Sequence, residues 1–223
     1  MDKENKSYEG LTIRCFAFNM IQENCYVVSD ETLECVIIDC GAYWEDEREE
    51  LIKYITSKGL TPVRLLSTHG HLDHHFGDNT IFEAFGLAPE VSQEDEYAYK
   101  SLHYQAENLF HLKLNYKFPP VSHYFVEGEI IHFGNHDLRV VPTPGHTPGS
   151  VTFYCESEGI AFTGDTLFHG SVGRTDLDGG SMFQLINSLR ELAQLPDDTQ
   201  IYPGHGEPTT IGFELAHNPY MDR

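Results

Sequence analysis

Four short apolar segments of this chain end the same way, in a loop that pairs glycine with histidine or aspartate. Residues 63–67 have the composition of a buried strand and run straight into Thr68-His69-Gly70-His71-Leu72-Asp73-His74-His75. Later segments lead to His146 in Pro144-Gly145-His146-Thr147-Pro148-Gly149, to Asp165 in Thr163-Gly164-Asp165-Thr166, and to His205 in Pro203-Gly204-His205-Gly206. Taken singly, each of these three is an ordinary loop residue. The run 69–74 is different, because so many ionisable side chains beside a buried strand are costly to desolvate unless a metal holds them. Imidazole suits Zn²⁺, Fe²⁺ and similar ions, and a carboxylate can complete or bridge their sites. One-residue spacing puts His69 and His71 on one side of an extended turn and directs Asp73 and His74 toward a second point, with Gly70 and Gly77 relieving the crowding. The seven candidates (His69, His71, Asp73, His74, His146, Asp165 and His205) exceed what one tetrahedral ion takes and match two. A dinuclear site is the economical reading.

Between these loops, strand and helix patterns alternate. Residues 11–17, 25–29 and 35–39 read as short strands, and 45–57 as a helix with Leu51, Ile52 and Ile55 on one stripe and Gly59 as its stop. Another helix is expected over about 77–85. An amphipathic one is expected over 93–112, where acidic residues alternate with Tyr97, Tyr99, Tyr104, Leu109 and Phe110, a stripe that reads as core packing. From 121 to 154 the period returns toward two, with turns at 127–128, 134–135 and 142–149, and 160–163 and 201–202 are further short strands. Ser181 caps the clearest helix, 181–195. No linker, repeat or charge block divides the 223 residues, so one layered α/β domain spanning 1–223, helices outside sheets, is expected.

Composition narrows the function. Asp plus Glu number 35 against 14 Lys plus Arg, a formal net charge of −21. That leaves no basic stripe for nucleic acid and a poor match to an anionic membrane surface. An anionic substrate would need a local positive feature, which a bound metal supplies. The first ten residues are polar, without the apolar core of a signal peptide, and no run approaches 18 apolar residues. Five cysteines without a CxxC pair fit reduced thiols in a cytosol-like compartment. A cytoplasmic protein with a small-molecule substrate, and with neither nucleic-acid nor membrane partner, is expected.

The segment Thr68-His69-Gly70-His71-Leu72-Asp73-His74 resembles the HxHxDH signature of the metallo-β-lactamase superfamily, and His146, Asp165 and His205 match its three downstream motifs in order. The resemblance covers essentially the whole chain. Within the superfamily the chain is similar to the glyoxalase II (hydroxyacylglutathione hydrolase) branch in a short form. The residues that carry this are Asn24-Cys25-Tyr26, Gly164-Asp165-Thr166-Leu167-Phe168, Gly173-Arg174-Thr175-Asp176, Tyr202-Pro203-Gly204-His205-Gly206 and His217-Asn218-Pro219-Tyr220. The resemblance implies a four-layer αββα sandwich with its site in a cleft at one edge of the facing sheets. It implies that His69, His71 and His146 bind one ion, that Asp73, His74 and His205 bind a second, and that Asp165 bridges them. Zinc is the first expectation for these two divalent ions, with iron or manganese as alternatives.

The implied reaction is hydrolysis of hydroxyacylglutathione-like thioesters. A hydroxide bridging the ions would attack, its pKa lowered toward 7, and one ion would take up the oxyanion charge. Asp73, orienting that hydroxide, and Asp165 are the implied catalytic residues. The thiol leaves readily, with a pKa near 8.5. Asp39 with Gly41 resembles a family turn whose carboxylate supports the metal loops.

Arg174 stands where the branch has a basic residue that contacts the thiol carrier, whereas Asp176 stands where a tyrosine is usual. A surface ion pair of Arg174 with Asp176 or Asp178 is the competing reading. Glyoxalase II continues past its Asn-Pro-aromatic motif into a helical domain that helps hold glutathione, whereas here Arg223 comes three residues after Tyr220, so weak affinity for the carrier is expected. The helix over 93–112 is where a lid over the cleft could lie. Gly173-Arg174-Thr175-Asp176 also occurs in persulfide dioxygenases, which hold one iron through two His and one Asp on the same sandwich. That makes a mononuclear iron oxygenase the alternative, with Pro203-Gly204-His205-Gly206, the hydrolase form of the last motif, against it. A lactonase is a further alternative, and a β-lactamase fits less well because those enzymes carry Cys or Ser where this chain has Asp165. His75, His103, His111, His123, His132, His136, His169 and His217 match no ligand motif and read as surface or structural residues.

Overall fold

Alternation along the strands decides the layering. In β3 (Glu23–Asp30), Tyr26 and Val28 face one apolar cluster while Cys25 and Val27 face another. In β4 (Glu34–Ile38), Val36 and Ile38 face the first and Cys35 and Ile37 the second. Such strands are buried on both sides, which is why they read as nearly continuous apolar runs. The computed structural model describes residues 6–7 and 10–222.

Among these described residues the first sheet runs, in spatial order, β1 (Lys6–Ser7), β2 (Leu11–Phe18), β3, β4, β5 (Thr61–Leu66), β6 (Pro89–Ser92) and β7 (His123–Phe125). The second contains β8 (Ile130–Phe133), β9 (His136–Pro142), β10 (Val151–Cys155) and β11 (Ile160–Gly164). A small separate hairpin of β12 (Leu167–Phe168) and β13 (Ser171–Val172) intervenes in the chain before β14 (Gln200–Pro203) and β15 (Thr209–Thr210) complete the second sheet. The two sheets close on a shared core that includes Ile13, Tyr26, Val36 and Leu66 from one and Phe133, Val140, Phe153 and Phe162 from the other. Helices α1 (Glu45–Ser57) and α2 (Asp78–Phe85) cover the outer face of the first sheet through Leu51, Ile55 and Ile81. Two short helices, α3 (Glu96–Lys100) and α4 (Leu102–Leu109), pack beside them on Leu72, Phe76 and Val91. The outer face of the second sheet is covered by α5 (Met182–Leu192) and α6 (Ile211–His217) through Leu185, Leu189 and Ile211. This is the four-layer αββα arrangement.

Topology places the site. β4 and β5 run parallel, as do β11 and β14, and β10 is antiparallel to β11. The loops that leave β4, β5, β11 and β14, and the one that enters β10, therefore lie along one edge of the sandwich. The Ser181 cap read from the sequence is present, and at α1 the capping comes from Glu47. Ser181 accepts from the Gln184 N–H, and the Glu47 carboxylate accepts from the N–H groups of Tyr43 and Trp44 at 2.8 and 2.9 Å. No helix among the described residues is long and apolar enough to cross a membrane.

The segment 93–112 differs from the single helix that periodicity predicts. Gln93–Asp95 is a 3₁₀ turn, and the α-helix breaks at Ser101. The Ala98 carbonyl there accepts from the Ser101 hydroxyl and the Gln105 side-chain amide, local bonds that compete with a continuous helix ladder. The aromatic stripe is core only in part, with Phe110 packed against the cluster that holds Tyr99. Tyr99 is buried, but Tyr97, Tyr104 and Leu109 are exposed.

Phe153 is fully buried between the sheets, edge-on to Phe125 with ring centroids 5.4 Å apart. Phe153→Ala is expected to cost about 3–5 kcal/mol of folding stability in urea titrations. A cost under about 1 kcal/mol would contradict the inter-sheet packing described here.

Candidate metal centre

All seven candidates meet at this edge. Ligand atoms of His69, His71 and His146 form one group in which every pair lies within 4.8 Å, and those of Asp73, His74 and His205 form a second. The Nδ1 of His71 is 2.8 Å from Nε2 of His146, and Asp73 Oδ2 is 3.2 Å from Nε2 of both His74 and His205. Asp165 spans the two groups, with Oδ1 3.4 Å from His74 Nε2 and Oδ2 3.5 Å from His146 Nε2 and 3.7 Å from His205 Nε2. Two further groups meet the same limit, His69 with His74 and Asp165, and Glu23 with Asp39 and His74.

The other ring nitrogen of most of these histidines is held by the protein, which fixes the nitrogen that faces the centre. His146 Nδ1 donates to the Arg174 carbonyl at 2.8 Å, His74 Nδ1 lies 2.9 Å from Asp39 Oδ2, and His205 Nδ1 lies 3.3 Å from the Ile21 carbonyl. His69 Nδ1 lies 3.1 Å from the Thr68 hydroxyl.

Asp39, at the end of β4, accepts from the Thr68 N–H and hydroxyl as well, at 2.7 and 2.8 Å, so it fastens both ends of the 68–74 loop. From β3, Asn24 Nδ2 and the Tyr26 hydroxyl donate to the Pro203 carbonyl at 2.9 and 2.6 Å. These two bonds explain why Asn24-Cys25-Tyr26 belongs with the distant His205 motif. Gly204 has its own reason: a Cβ there would overlap Asp165 Oδ1 and press on the His74 ring.

Three supporting residues lay outside the sequence reading. Asp95 is buried and accepts from the Gly70 N–H, the Thr147 hydroxyl and the Gly149 N–H at 2.6–2.7 Å, joining the loops of the first ligand group. Gln105 accepts from the Leu72 N–H and donates to the Gly70 carbonyl. Glu23, fully buried, sits 3.9 Å behind His74 Nδ1, and burial raises its carboxyl well above the usual range. None of them stands next to a ligand in sequence. Of the histidines without a motif, His75 is buried, bridging Asp78 and the His69 carbonyl, and His136 is buried against Asp30. The other six are exposed. All five cysteines are buried.

The donor set fits divalent ions. His69 Nε2, His74 Nε2 and Asp165 Oδ1 are buried and have no hydrogen-bond partner among the described residues. Burial, helped by neighbouring imidazoles, drives His69 well below its usual range and His71 down to about 4. Burial opposes ionisation of Asp165 and Asp73, yet the surrounding histidines win, holding Asp165 at about 2 and Asp73 below its usual range. Neutral imidazole and ionised carboxylate are the forms that ligate metals. Around His74 and His205 the same carboxylates outweigh burial and raise the imidazole pKa.

Arg174 lies at the rim, and its guanidinium forms two bonds to Asp176, 2.7 and 2.8 Å long. The ion pair read as the competing possibility is therefore present.

Zn²⁺ titration is expected to load two ions per chain, roughly 3.5 Å apart. His74 and His205 bind protons more strongly than free imidazole, so each proton must leave as metal enters. Affinity should therefore rise from pH 6 to pH 8 with measurable proton release, and equal affinity at both pH values would contradict the assignment. Asp95→Ala should weaken binding at the His69/His71/His146 group about 10–100-fold in chelator competition, more than at the other group.

A model of the metallo-β-lactamase superfamily matches residues 19–205. Hydroxyacylglutathione hydrolase GloC of Haemophilus influenzae is 37% identical over 95% of this chain and 99% of its own length. Two solved structures share the fold at a TM-score of 0.82. One is the BLEG-1 B3 metallo-β-lactamase, 32% identical and covering 95% of this chain and 100% of that one. The other is TTHA1623 in a di-iron-bound form, 36% identical and covering 93% and 99%. On sequence, fold and ligand geometry together, the chain belongs to the metallo-β-lactamase superfamily.

Proposed function

We propose that the chain is a dinuclear metal-dependent hydrolase of thioesters of the hydroxyacylglutathione type. The observation that carries this reading is Asp165 spanning two three-residue ligand groups. Support comes from the GloC relative, a hydroxyacylglutathione hydrolase matched over nearly its whole length. His69, His71 and His146 would hold one ion, Asp73, His74 and His205 the other, with Asp165 shared. Zinc is proposed first, and iron is favoured as the alternative by the di-iron-bound TTHA1623. When bound, the ions would polarise the thioester carbonyl and acidify water in the cleft.

The chain's own residues set up that chemistry. Asp165 fixes the spacing of the two groups through its two oxygens. Asp73 Oδ2, between His74 and His205, is an ionised acceptor that would orient an attacking water. Hydrogen bonds from outside the centre hold the imidazoles in place, so little reorganisation accompanies the reaction. Arg174 borders the carrier end of the cleft, its charge matched by Asp176. Five cysteines without a CxxC pair are in keeping with the proposed cytoplasmic location.

A hydrolysis screen of S-lactoylglutathione, simpler thioesters, lactones and a cephalosporin, with protein of known metal content, tests the proposal. Thioesters are expected to react fastest. Asp165→Ala should lower kcat more than tenfold, about 1.4 kcal/mol or more, with unchanged circular dichroism. Faster cephalosporin or lactone turnover, or oxygen uptake with glutathione persulfide in place of hydrolysis, would overturn it.

A further inference from the structure

His71 is held differently from the other candidate histidines. His69, His74, His146 and His205 turn Nε2 toward the centre, and a protein oxygen lies against Nδ1 of each. His71 reverses the pattern. Its Nδ1 lies 2.8 Å from His146 Nε2, and no hydrogen bond with the described residues holds its Nε2. Nδ1 is the ring nitrogen beside the side-chain attachment, so a ligand of this kind brings its main chain close to the ion. Side-chain rotation moves Nδ1 less than Nε2, and placement of the backbone decides more. One side chain clamps that backbone on both sides. Gln105 Oε1 accepts from the Leu72 N–H at 2.9 Å, and Gln105 Nε2 donates to the Gly70 carbonyl at 3.1 Å. The two bonds flank His71 as a neighbouring strand would, although residues 70–72 belong to no sheet. Gln105 is 7% exposed, and its Nε2 also donates to the Ala98 carbonyl at 2.9 Å. Ala98 itself lies against Gly70, where an added Cβ would come within 2.7 Å of the Ala98 Cβ. The break at Ser101, with Ala98 before it and Gln105 after it, sets both residues on the 70–72 loop.

We infer that Gln105 is a positioning residue that mounts His71 through the peptide groups on either side of it, so that Nδ1 and not Nε2 faces the first ligand group. The inference rests on the two-ion reading and is independent of the choice of substrate. A side-chain amide suits the task because it presents a donor and an acceptor side by side without a charge. Without it, the Gly70 carbonyl and the Leu72 N–H are left in a buried place, where unpaired groups are costly. Rotation of these peptides toward other partners relieves that cost and carries His71 with them. The neighbouring ligands have separate anchors. Thr68, beside His69, is bonded to Asp39, and the Asp73 carbonyl accepts from Asn19. The displacement therefore stays at His71.

Three variants separate positioning from packing. Gln105→Met keeps the length of the side chain and removes both bonds, and Gln105→Glu keeps the acceptor for Leu72. Val91→Ala, in the apolar cluster under the same helices, is the packing control. Gln105→Met is expected to weaken Zn²⁺ binding at the His69/His71/His146 group about tenfold in chelator competition, with the second group little changed. Gln105→Glu should recover part of that loss. In the Zn²⁺-loaded wild type, long-range proton–nitrogen correlation spectra of the imidazole rings should show His71 alone bound through Nδ1. Gln105→Met should abolish or broaden that pattern, and Val91→Ala should leave it in place. In metal-free protein, hydrogen exchange of the Leu72 amide should speed up about tenfold in Gln105→Met. Unchanged His71 signals in Gln105→Met, an equal loss at both ligand groups, or an equal effect of Val91→Ala overturns the inference. A wild type that loads fewer than two ions refutes the two-ion reading. Leu72 exchange in the metal-free variant then decides alone: faster exchange supports the mount, and an unchanged rate overturns it.

Discussion

The site depends on one buried carboxylate that touches no substrate. Asp39 is 1% exposed and accepts from the backbone and hydroxyl of Thr68 and from the ring of His74. A carboxylate in such surroundings is tolerable only when its lone pairs are taken by donors, and here the donors are the two ends of the loop that carries four of the seven candidate ligands. To reach them the chain leaves β4 with Asp39 at φ +51, a left-handed conformation that aspartate accepts more readily than most residues. Strand pairing, loop shape and the direction of His74 Nε2 are thus set at one residue.

From that point the supports spread along the edge of the sandwich. Asn19 Nδ2 donates to the carbonyls of Gly41 and Asp73, tying the hairpin between β2 and β3 to the loop. Asp95 joins that loop to the one bearing His146, and β3 holds the one bearing His205. The ligands themselves do little of this structural work. Their nitrogens face one another across short gaps that the surrounding bonds keep open.

How legible this was in the sequence follows from the range of each interaction. The candidate ligands sit in short motifs where residue type and spacing carry the message, so the seven residues that meet at this edge could be named, and β3, β4 and α1 could be placed from local periodicity. Asp95 could not, because its partners Gly70, Thr147 and Gly149 lie 25 to 54 residues away and nothing beside it marks the role. The break at Ser101 was equally hidden, since Gln105 reads as an ordinary helical polar residue until Gly70 and Leu72 are brought against it. Tyr97 and Tyr104 share a helical face with the spacing of a core stripe. Only the fold shows that this face turns to solvent, beside the metal loops.

Gly204 carries a further consequence. Its bare Cα lets the shared carboxylate of Asp165 lie flat against the chain, with the His74 ring alongside. The element common to both halves of the centre thus rests on a contact with no slack. A disturbance at this point reaches both halves together.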